Sequence, residues 1–181
     1  PFEFNSTVVS DGISMGTEGM RCSLVSRELT ADSIELAVQG HQLDAVVAIS
    51  GCDKTVAGTV QALARLDLPS IMVYGGSIAP GQTKNDDGSN RSLSLQDVFE
   101  AVGAHNRKSI DDDQLTEIEK KSCPGAGACG GQFTANTMST AAGLLGISPM
   151  QLNSMPALAP ERDEQLQEIG TMIMKLLHEG I

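Results

Sequence analysis

A cysteine, an aspartate and a lysine follow one another shortly after an apolar run in this sequence. The run covers residues 45–49, and Cys52-Asp53-Lys54 begins three positions later. A thiolate is a soft ligand that selects iron, whereas a carboxylate is a hard ligand that selects Mg²⁺. Since neighbours in extended chain point to opposite sides, Cys52 and Asp53 could face two different inorganic centres. The structural alternative is that Cys52 is a small buried residue and Asp53 caps the following helix.

Cys129 lies between glycines in a second loop, residues 120–131, which leads into a predicted helix at about residues 133–145. Backbone amides and the helix dipole stabilise a thiolate at such a position, so Cys129 is a candidate ligand or nucleophile. The alternative is a turn that needs only small residues. Cys123 shares the loop without a ligand spacing that would support it, and we expect Cys22 to be a packed small residue.

Strands that alternate with helices position these loops. Strands are predicted at residues 6–9, 44–50 and 70–74, and helices at 23–39 and 55–65. The short apolar runs lack polar alternation, which indicates strands covered on both faces. The predicted fold class is therefore α/β, a three-layer α/β/α arrangement with a mainly parallel sheet. Ligands bind beyond the carboxyl ends of such strands, so Asp11, Cys52 to Lys54 and Gly75-Gly76 should share one edge.

The second half of the chain predicts a surface loop and several helices. Residues 80–90 are rich in Gly, Asp, Asn and Thr, which indicates a loop or flap. Ser94 and Asp97 form a capping-box pattern, and residues 111–113 indicate a solvated helix start. A last amphipathic helix is predicted from Pro160.

Composition excludes several classes of protein. Twelve Lys and Arg against 23 Asp and Glu give a net charge of −11, which disfavours binding to nucleic acid and to anionic membrane surfaces. No apolar run reaches the ~20 residues of a membrane helix. Four cysteines in 181 residues indicate a reducing compartment rather than a disulfide scaffold. The three histidines suit capping or surface positions, and the glycine loops do not match a nucleotide-binding pattern.

The N-terminus carries no initiator Met, secretion signal or Arg-rich transit peptide. We therefore expect the chain to begin within a longer protein. A cytoplasmic location is expected, with an organellar matrix as the alternative if a transit peptide has been removed.

Blocks of residues in a fixed order resemble the dihydroxy-acid dehydratases. The similarity extends from Phe4 to about Gly146. The blocks are Phe4-Asn5, Ser10 to Met20, Ser26-Arg27-Glu28, Gly51 to Lys54, Tyr74 to Ile78 with Pro80-Gly81, and Cys123 to Gly131 with Thr134 to Met138. Sugar-acid dehydratases of the same superfamily share the Gly-Cys-Asp-Lys block, but the other blocks fit the branched-chain enzyme better.

The resemblance implies a hydro-lyase that dehydrates 2,3-dihydroxy-3-methyl acids to 2-oxo acids in valine and isoleucine synthesis. It implies that Cys52 and Cys129 are ligands of an iron-sulfur cluster, and that Asp11, Asp53 and a carbamylated Lys54 bind Mg²⁺. The loop around Cys129 resembles the 2Fe-2S branch of the family. Full-length members are expected to be homodimers.

The resemblance also implies that residues 1–181 are part of an N-terminal iron-sulfur and Mg²⁺-binding domain. One further cluster cysteine is expected upstream, while a Mg²⁺ carboxylate and the serine base are expected downstream, with the C-terminal domain. No catalytic base is therefore predicted within this segment, which alone is expected to be inactive. Gln132-Phe133 and Thr55-Val56-Ala57 depart from the usual family residues. The alternatives are a sugar-acid dehydratase and a non-catalytic metal-binding or redox-sensing relative.

Overall fold

The computed structural model describes residues 1–85 and 87–180. Helices α1 to α8 span Asp11–Ser14, Ser23–Gly40, Asp53–Leu66, Leu95–Asn106, Asp112–Ser122, Thr134–Leu144, Met150–Asn153 and Arg162–Glu179. Strands β1 to β4 span Val46–Ser50, Ser70–Tyr74, Gly81–Lys84 and Asn90–Leu93. None of the helices within the described ranges combines the length and the hydropathy needed to cross a bilayer.

Strands β1 and β2 form a parallel pair that is connected through α3. Their register runs from Val46 opposite Ser70 to Ser50 opposite Tyr74, so both strands end at the same edge. The amide of Gly75 then donates to the carbonyl of Ser50 at 2.7 Å. The loops that follow the two strands therefore start side by side, as predicted for a site at the carboxyl edge.

Helices cover both faces of this small sheet, which confirms the predicted three-layer α/β/α class. Helices α2, α3 and α6 pack on one face, with β2 contributing Met72 and Tyr74 to the core. Helices α7 and α8 pack on the other face against Ile71 and Val73. This alternation follows from the period of two along a strand.

The two strands differ in how completely they are covered. On the α8 face, Val47 and Ile49 lie opposite Ile71 and Val73 but stay 44% and 77% exposed. The prediction of cover on both faces is therefore confirmed for β2 and wrong for β1 among the described residues. Helix α8 touches both strands, but among the described residues the core that it forms contains Ile71 and Val73 of β2 and no residue of β1.

Helix α2 begins where predicted, and its apolar pattern matches the buried face at Ile34 and Val38 but not in its first half. Leu24 and Leu29 are exposed, whereas Ser26 and Thr30 are buried. A Cβ atom placed on Gly58 of α3 would lie 2.5 Å from the Arg27 carbonyl oxygen. The two helices therefore approach so closely that small residues, not leucines, fill their contact.

Two other segments depart from the predictions. Residues 6–9 form no strand, because the Thr7 carbonyl accepts a hydrogen bond from the Thr30 side chain of α2. Within residues 80–90, β3 forms an antiparallel hairpin with β4, where a loop was predicted. Asp86 lies outside the described residues.

The predicted helix starts agree better. Asp97 accepts from the amide of Ser94, and Asp111 accepts from the amide of Gln114, so both capping interactions are present. The last helix begins at Arg162, two residues after the predicted start.

Candidate metal centre

Cys52 occupies the N-cap of α3, at the point where β1 turns into that helix. Its backbone amide donates to the Thr55 hydroxyl at 3.1 Å, which satisfies a donor that the helix leaves unpaired. Asp53 is then the first residue of the helix. The interpretation of Asp53 as the capping residue is therefore wrong, because Cys52 holds that position.

The side chains of Cys52 and Asp53 lie on the same side of the chain. The Cys52 Sγ donates to Asp53 Oδ1 at 3.4 Å. The opposite directions expected for neighbouring side chains in extended chain are therefore not seen at this junction. Cys52 has extended torsions, with φ −83° and ψ 162°, but Asp53 is already helical, so the alternation of a strand ends between them.

Asp11 completes a group of three potential ligands with these two residues. One ligand atom from each of Asp11, Cys52 and Asp53 lies within 4.8 Å of the other two, and all three residues are half-buried. Asp11 begins the short helix α1, and the Ser23 hydroxyl at the start of α2 donates to its carboxylate. The Asp11 carboxylate is therefore held by residues of two helices at the sheet edge.

The ammonium group of Lys54 binds both carboxylates of this group. Its Nζ lies 2.8 Å from Asp11 Oδ2 and also donates to Asp53 Oδ2. Hydrogen bonds to Asp11 and then to Asp53 raise the pKa of Lys54. Lys54 thus places a positive charge where two carboxylates converge, which is the position a metal cation would take.

The electrostatics of the other members follow from the same contacts. Burial alone would raise the pKa of Asp11, but hydrogen bonds from Lys54 and Ser23 outweigh it and lower that pKa. Burial, together with the neighbouring Asp53 carboxylate, raises the pKa of the Cys52 thiol. Without a metal, the protonated thiol is therefore the favoured form of Cys52.

The loop that carries Cys129 is held against the chain that follows β2. The amide of Ala128 donates to the Gly76 carbonyl at 2.8 Å, and the amide of Ile78 donates to the Cys129 carbonyl at 2.9 Å. A Cβ atom on Gly51 would lie 3.4 Å from the Cβ of Ala128. The two cysteine-bearing loops are therefore in contact at the residues that directly precede Cys52 and Cys129.

Two buried residues beside these loops were missed as site residues by the sequence analysis. The Tyr74 hydroxyl donates to Asn136 Oδ1 at 2.6 Å. Burial, followed by the Cys129 and Cys52 thiols, raises the pKa of Tyr74 far above its ordinary value. A buried asparagine among small residues of a helix was the available signal, because such an amide needs partners.

The other cysteines differ from one another. Cys123 is half-buried, and a Cβ atom on Gly130 would lie 3.1 Å from its Sγ. Burial, then the neighbouring Cys129, raises the pKa of Cys123. Cys22 is exposed, so the prediction that it packs in the interior is wrong.

The histidines lie outside the group, as predicted. His41 Nδ1 bonds the Ala37 carbonyl at 2.8 Å, and His105 Nε2 lies 2.6 Å from Asp112. His178 is exposed near the end of α8.

Two open surface clefts, of about 610 and 490 Å³, lie elsewhere on the chain. The first lies between α4 and α5, and the second lies between the β3–β4 hairpin and α5. Neither cleft is lined by Cys52, Asp53 or Cys129.

Comparison with known proteins gives a match over the whole sequence. Residues 1–181 match the family described as dihydroxy-acid/6-phosphogluconate dehydratase N-terminal. The chain belongs to this family. A protein of Koribacter versatilis named dihydroxy-acid dehydratase is 54% identical over 181 residues. Proteins of the same name from Oceanobacillus iheyensis and Thermus thermophilus are 51% identical over 181 residues and 49% identical over 173 residues.

The matches cover all or nearly all of this chain but a minor part of each relative. The match with the Koribacter versatilis protein covers 100% of this chain and 31% of that protein. The match with the Thermus thermophilus protein covers 96% of this chain and 30% of that protein. The chain thus spans about 31% of the length of the curated relatives it matches.

Proposed function

We propose that the full-length protein is a hydro-lyase that converts 2,3-dihydroxy-3-methyl carboxylic acids to 2-oxo acids, as in valine and isoleucine biosynthesis. Membership of the dehydratase family and the shared name of its relatives support this reaction class. The observation that carries the proposal is the convergence of Asp11, Cys52 and Asp53 within 4.8 Å at one edge of the sheet.

The donor set fits the proposed inorganic groups. Asp11 and Asp53 offer hard oxygen ligands that suit Mg²⁺, and Cys52 and Cys129 offer soft sulfur ligands that suit an iron-sulfur cluster. When bound, the cluster would supply a Lewis acid for the C3 hydroxyl group, and Mg²⁺ would supply positive charge for the carboxylate and C2 oxygen. The 2Fe-2S form is the one we propose, from the resemblance of the Cys129 loop.

Lys54 fits the Mg²⁺ site once it carries a carbamate. The ammonium would first lose one proton, and the neutral amine would then add to CO₂ and lose a second proton, so that the charge of the side chain changes from positive to negative. An ammonium would repel a metal cation, whereas the carbamate adds an oxygen ligand to those of Asp11 and Asp53. The present contacts with both carboxylates support this position for Lys54.

The proposed reaction is a balanced loss of water. The proton on C2 is removed, the C3 hydroxyl group leaves with a proton as water, and the resulting enol tautomerises to the 2-oxo acid. Asp11, Asp53 and Lys54 would hold Mg²⁺ at the sheet edge and would thereby fix the place where the substrate carboxylate binds. The base for the C2 proton is proposed to lie outside residues 1–181, and the full-length protein is proposed to be a homodimer.

The test is a spectroscopic and chemical analysis of the full-length protein under anaerobic conditions. We expect visible absorption from thiolate-to-iron charge transfer, an EPR signal after reduction, and iron with sulfide in the protein. Cys52→Ala and Cys129→Ala should each abolish the absorption. Cys22→Ala is the matched control, because Cys22 is exposed and lies outside the ligand group.

Substrate assays then separate the members of the superfamily. We expect turnover of 2,3-dihydroxyisovalerate, with loss of activity when Asp11 is changed to Asn. Turnover of an aldonate or 6-phosphogluconate alone would instead assign the sugar-acid reaction, which the description of the family also includes. Zinc in place of iron, with no turnover of either substrate, would contradict the hydro-lyase and favour a non-catalytic relative.

A further inference from the structure

Asn136 is a buried polar residue in α6 whose amide has partners on both of its ends. It is 8% exposed. Its Nδ2 donates to the Gly131 carbonyl at 2.6 Å and to the Cys129 carbonyl at 3.2 Å. The other end, Oδ1, accepts from the Tyr74 hydroxyl at 2.6 Å. The orientation of the Asn136 side-chain amide is therefore fixed, because Oδ1 faces a donor and Nδ2 faces two acceptors.

Tyr74 is equally well fixed at the end of β2. Its side chain is fully buried. Its backbone carbonyl accepts from the guanidinium group of Arg162, which is itself 6% exposed and also donates to the Leu152 carbonyl at 3.3 Å. The tyrosine ring thus extends from a rigid strand end to Asn136.

This pair of residues connects the two cysteine-bearing loops. Tyr74 lies opposite Ser50 in the sheet, two residues before Cys52. Asn136 holds the carbonyl of Cys129 itself. The Tyr74 and Asn136 side chains are therefore a direct buried connection from the strand pair beneath Cys52 to the backbone that carries Cys129.

We propose that Tyr74 and Asn136 are positioning residues that hold the Cys129 loop at a fixed place relative to Cys52. A cluster that bridges two loops needs its sulfur ligands in place before it assembles, and second-layer hydrogen bonds provide this. The consequence for cluster assembly rests on the proposed function. The consequence for the loop itself does not, because the hydrogen bonds exist without any metal.

The experiment compares cysteine alkylation in the metal-free, full-length protein. Iodoacetamide labelling is followed by mass spectrometry, and the rate at Cys129 is divided by the rate at exposed Cys22. Asn136→Ala should raise this ratio about tenfold, because the loop is released from its buried anchor and opens locally. After anaerobic reconstitution, the same variant should bind several-fold less iron and show a changed visible spectrum.

Asn153→Ala is the matched control. Asn153 is also buried, and its Oδ1 accepts from the Ser139 and Ser148 hydroxyls, but it contacts neither cysteine-bearing loop through these bonds. Both alanine variants lose a buried amide and should lose thermal stability. Only Asn136→Ala should change the labelling ratio.

Two further variants keep the test decisive. Asn136→Asp preserves the volume but replaces the donating Nδ2 with an oxygen, so we expect it to behave like Asn136→Ala. Tyr74→Phe removes a single hydroxyl, so we expect a smaller rise in the ratio. If Asn136→Ala fails to fold, Tyr74→Phe decides the outcome.

A Cys129 ratio that is unchanged in Asn136→Ala and Tyr74→Phe, or that rises equally in Asn153→Ala, would overturn the proposal. If the wild-type protein binds no iron, the proposed function fails, but the labelling ratio still decides whether Asn136 positions the loop. The two failures are thus distinguishable.

Discussion

The Cys52 loop and the Cys129 loop reach the same edge of the sheet by different means. Cys52 lies between β1 and α3, so regular elements directly before and after it determine its place. Cys129 lies five residues before α6, in a loop without regular structure. Its place depends on hydrogen bonds to the Gly76 carbonyl, the Ile78 amide and Asn136.

The difference also appears in the charges. The Cys52 loop carries Asp53 and Lys54, which form an ionic group with Asp11 of α1. The Cys129 loop is held by backbone amides and carbonyls and by one neutral side-chain amide. Local secondary structure therefore positions Cys52, whereas tertiary hydrogen bonds position Cys129.

The largest effect is expected from changing Gly127 to Ala in the Cys129 loop. A Cβ atom at Gly127 would lie 2.5 Å from the Ile78 nitrogen and 2.6 Å from the Ser77 carbonyl carbon. Its φ of +156° adds strain for any other residue. We expect the free energy of unfolding to fall by about 2–4 kcal/mol, measured by urea titration of the full-length protein.

Gly125→Ala in the same loop is the control for Gly127. Its Cβ atom would meet only the end of the Leu158 side chain, at 3.4 Å. We expect a change below about 0.5 kcal/mol. Equal losses in the two variants would mean that the loop is not held by its close approach to residues 77–78.

The second effect concerns the Cys52 loop and the local structure that holds it. Thr55→Val removes the hydroxyl that accepts from the Cys52 amide, and Thr55 is 4% exposed. A buried donor without a partner costs about 1–2 kcal/mol. We expect that loss in urea titration and faster alkylation of Cys52, with Cys129 unchanged.

Thr116→Val is the control for Thr55→Val, because Thr116 is an exposed residue in α5. It should change the free energy of unfolding by less than about 0.5 kcal/mol. A Thr55→Val variant that accelerates labelling of both Cys52 and Cys129 would show that the two loops are not independently held.

The smallest effect is a pH-dependent one at Asp97, in the helix that packs beside the Cys129 loop. Leu95 of α4 lies next to Gly130, and Asp97 stabilises the start of this helix. Hydrogen bonds from Ser94, chiefly from its backbone amide, and the charge of Arg91 lower the pKa of Asp97 despite partial burial. The ionised carboxylate therefore stabilises the folded state.

The sign of the pH dependence follows from the lowered pKa. The contribution is present above the pKa of the unfolded chain and is lost as the pH falls through the folded-state pKa. Asp97→Asn should cost about 1 kcal/mol at pH 7, and the difference from wild type should shrink in acid. Asp113→Asn, at an exposed position in the first turn of α5, is the control. A difference that persists below both pKa values would contradict the ionic role of Asp97.

Sequence patterns predicted local features well where the deciding contacts are within a few residues. The capping residues Ser94 and Asp97, and the strand followed by a helix around Cys52, are examples. The prediction of a strand at residues 6–9 failed because the Ser6 hydroxyl and the Thr7 carbonyl bond to side chains of α2 instead of to a neighbouring strand. The apolar pattern of α2 also matches its buried face only in part: Ile34 and Val38 are buried, but Leu24 and Leu29 are exposed because small residues fill the close contact with α3.

The sequence by itself determined the α/β class, the two cysteine-bearing loops and the family. Each is a local pattern or an ordered set of such patterns. Only the tertiary structure placed Lys54 against Asp11, 43 residues away, and Tyr74 against Asn136, 62 residues away. It also placed Cys52 and Asp53 on one side. The physical reason is that side-chain direction at the strand-to-helix junction depends on backbone torsions, and distant contacts depend on how helices pack on the sheet.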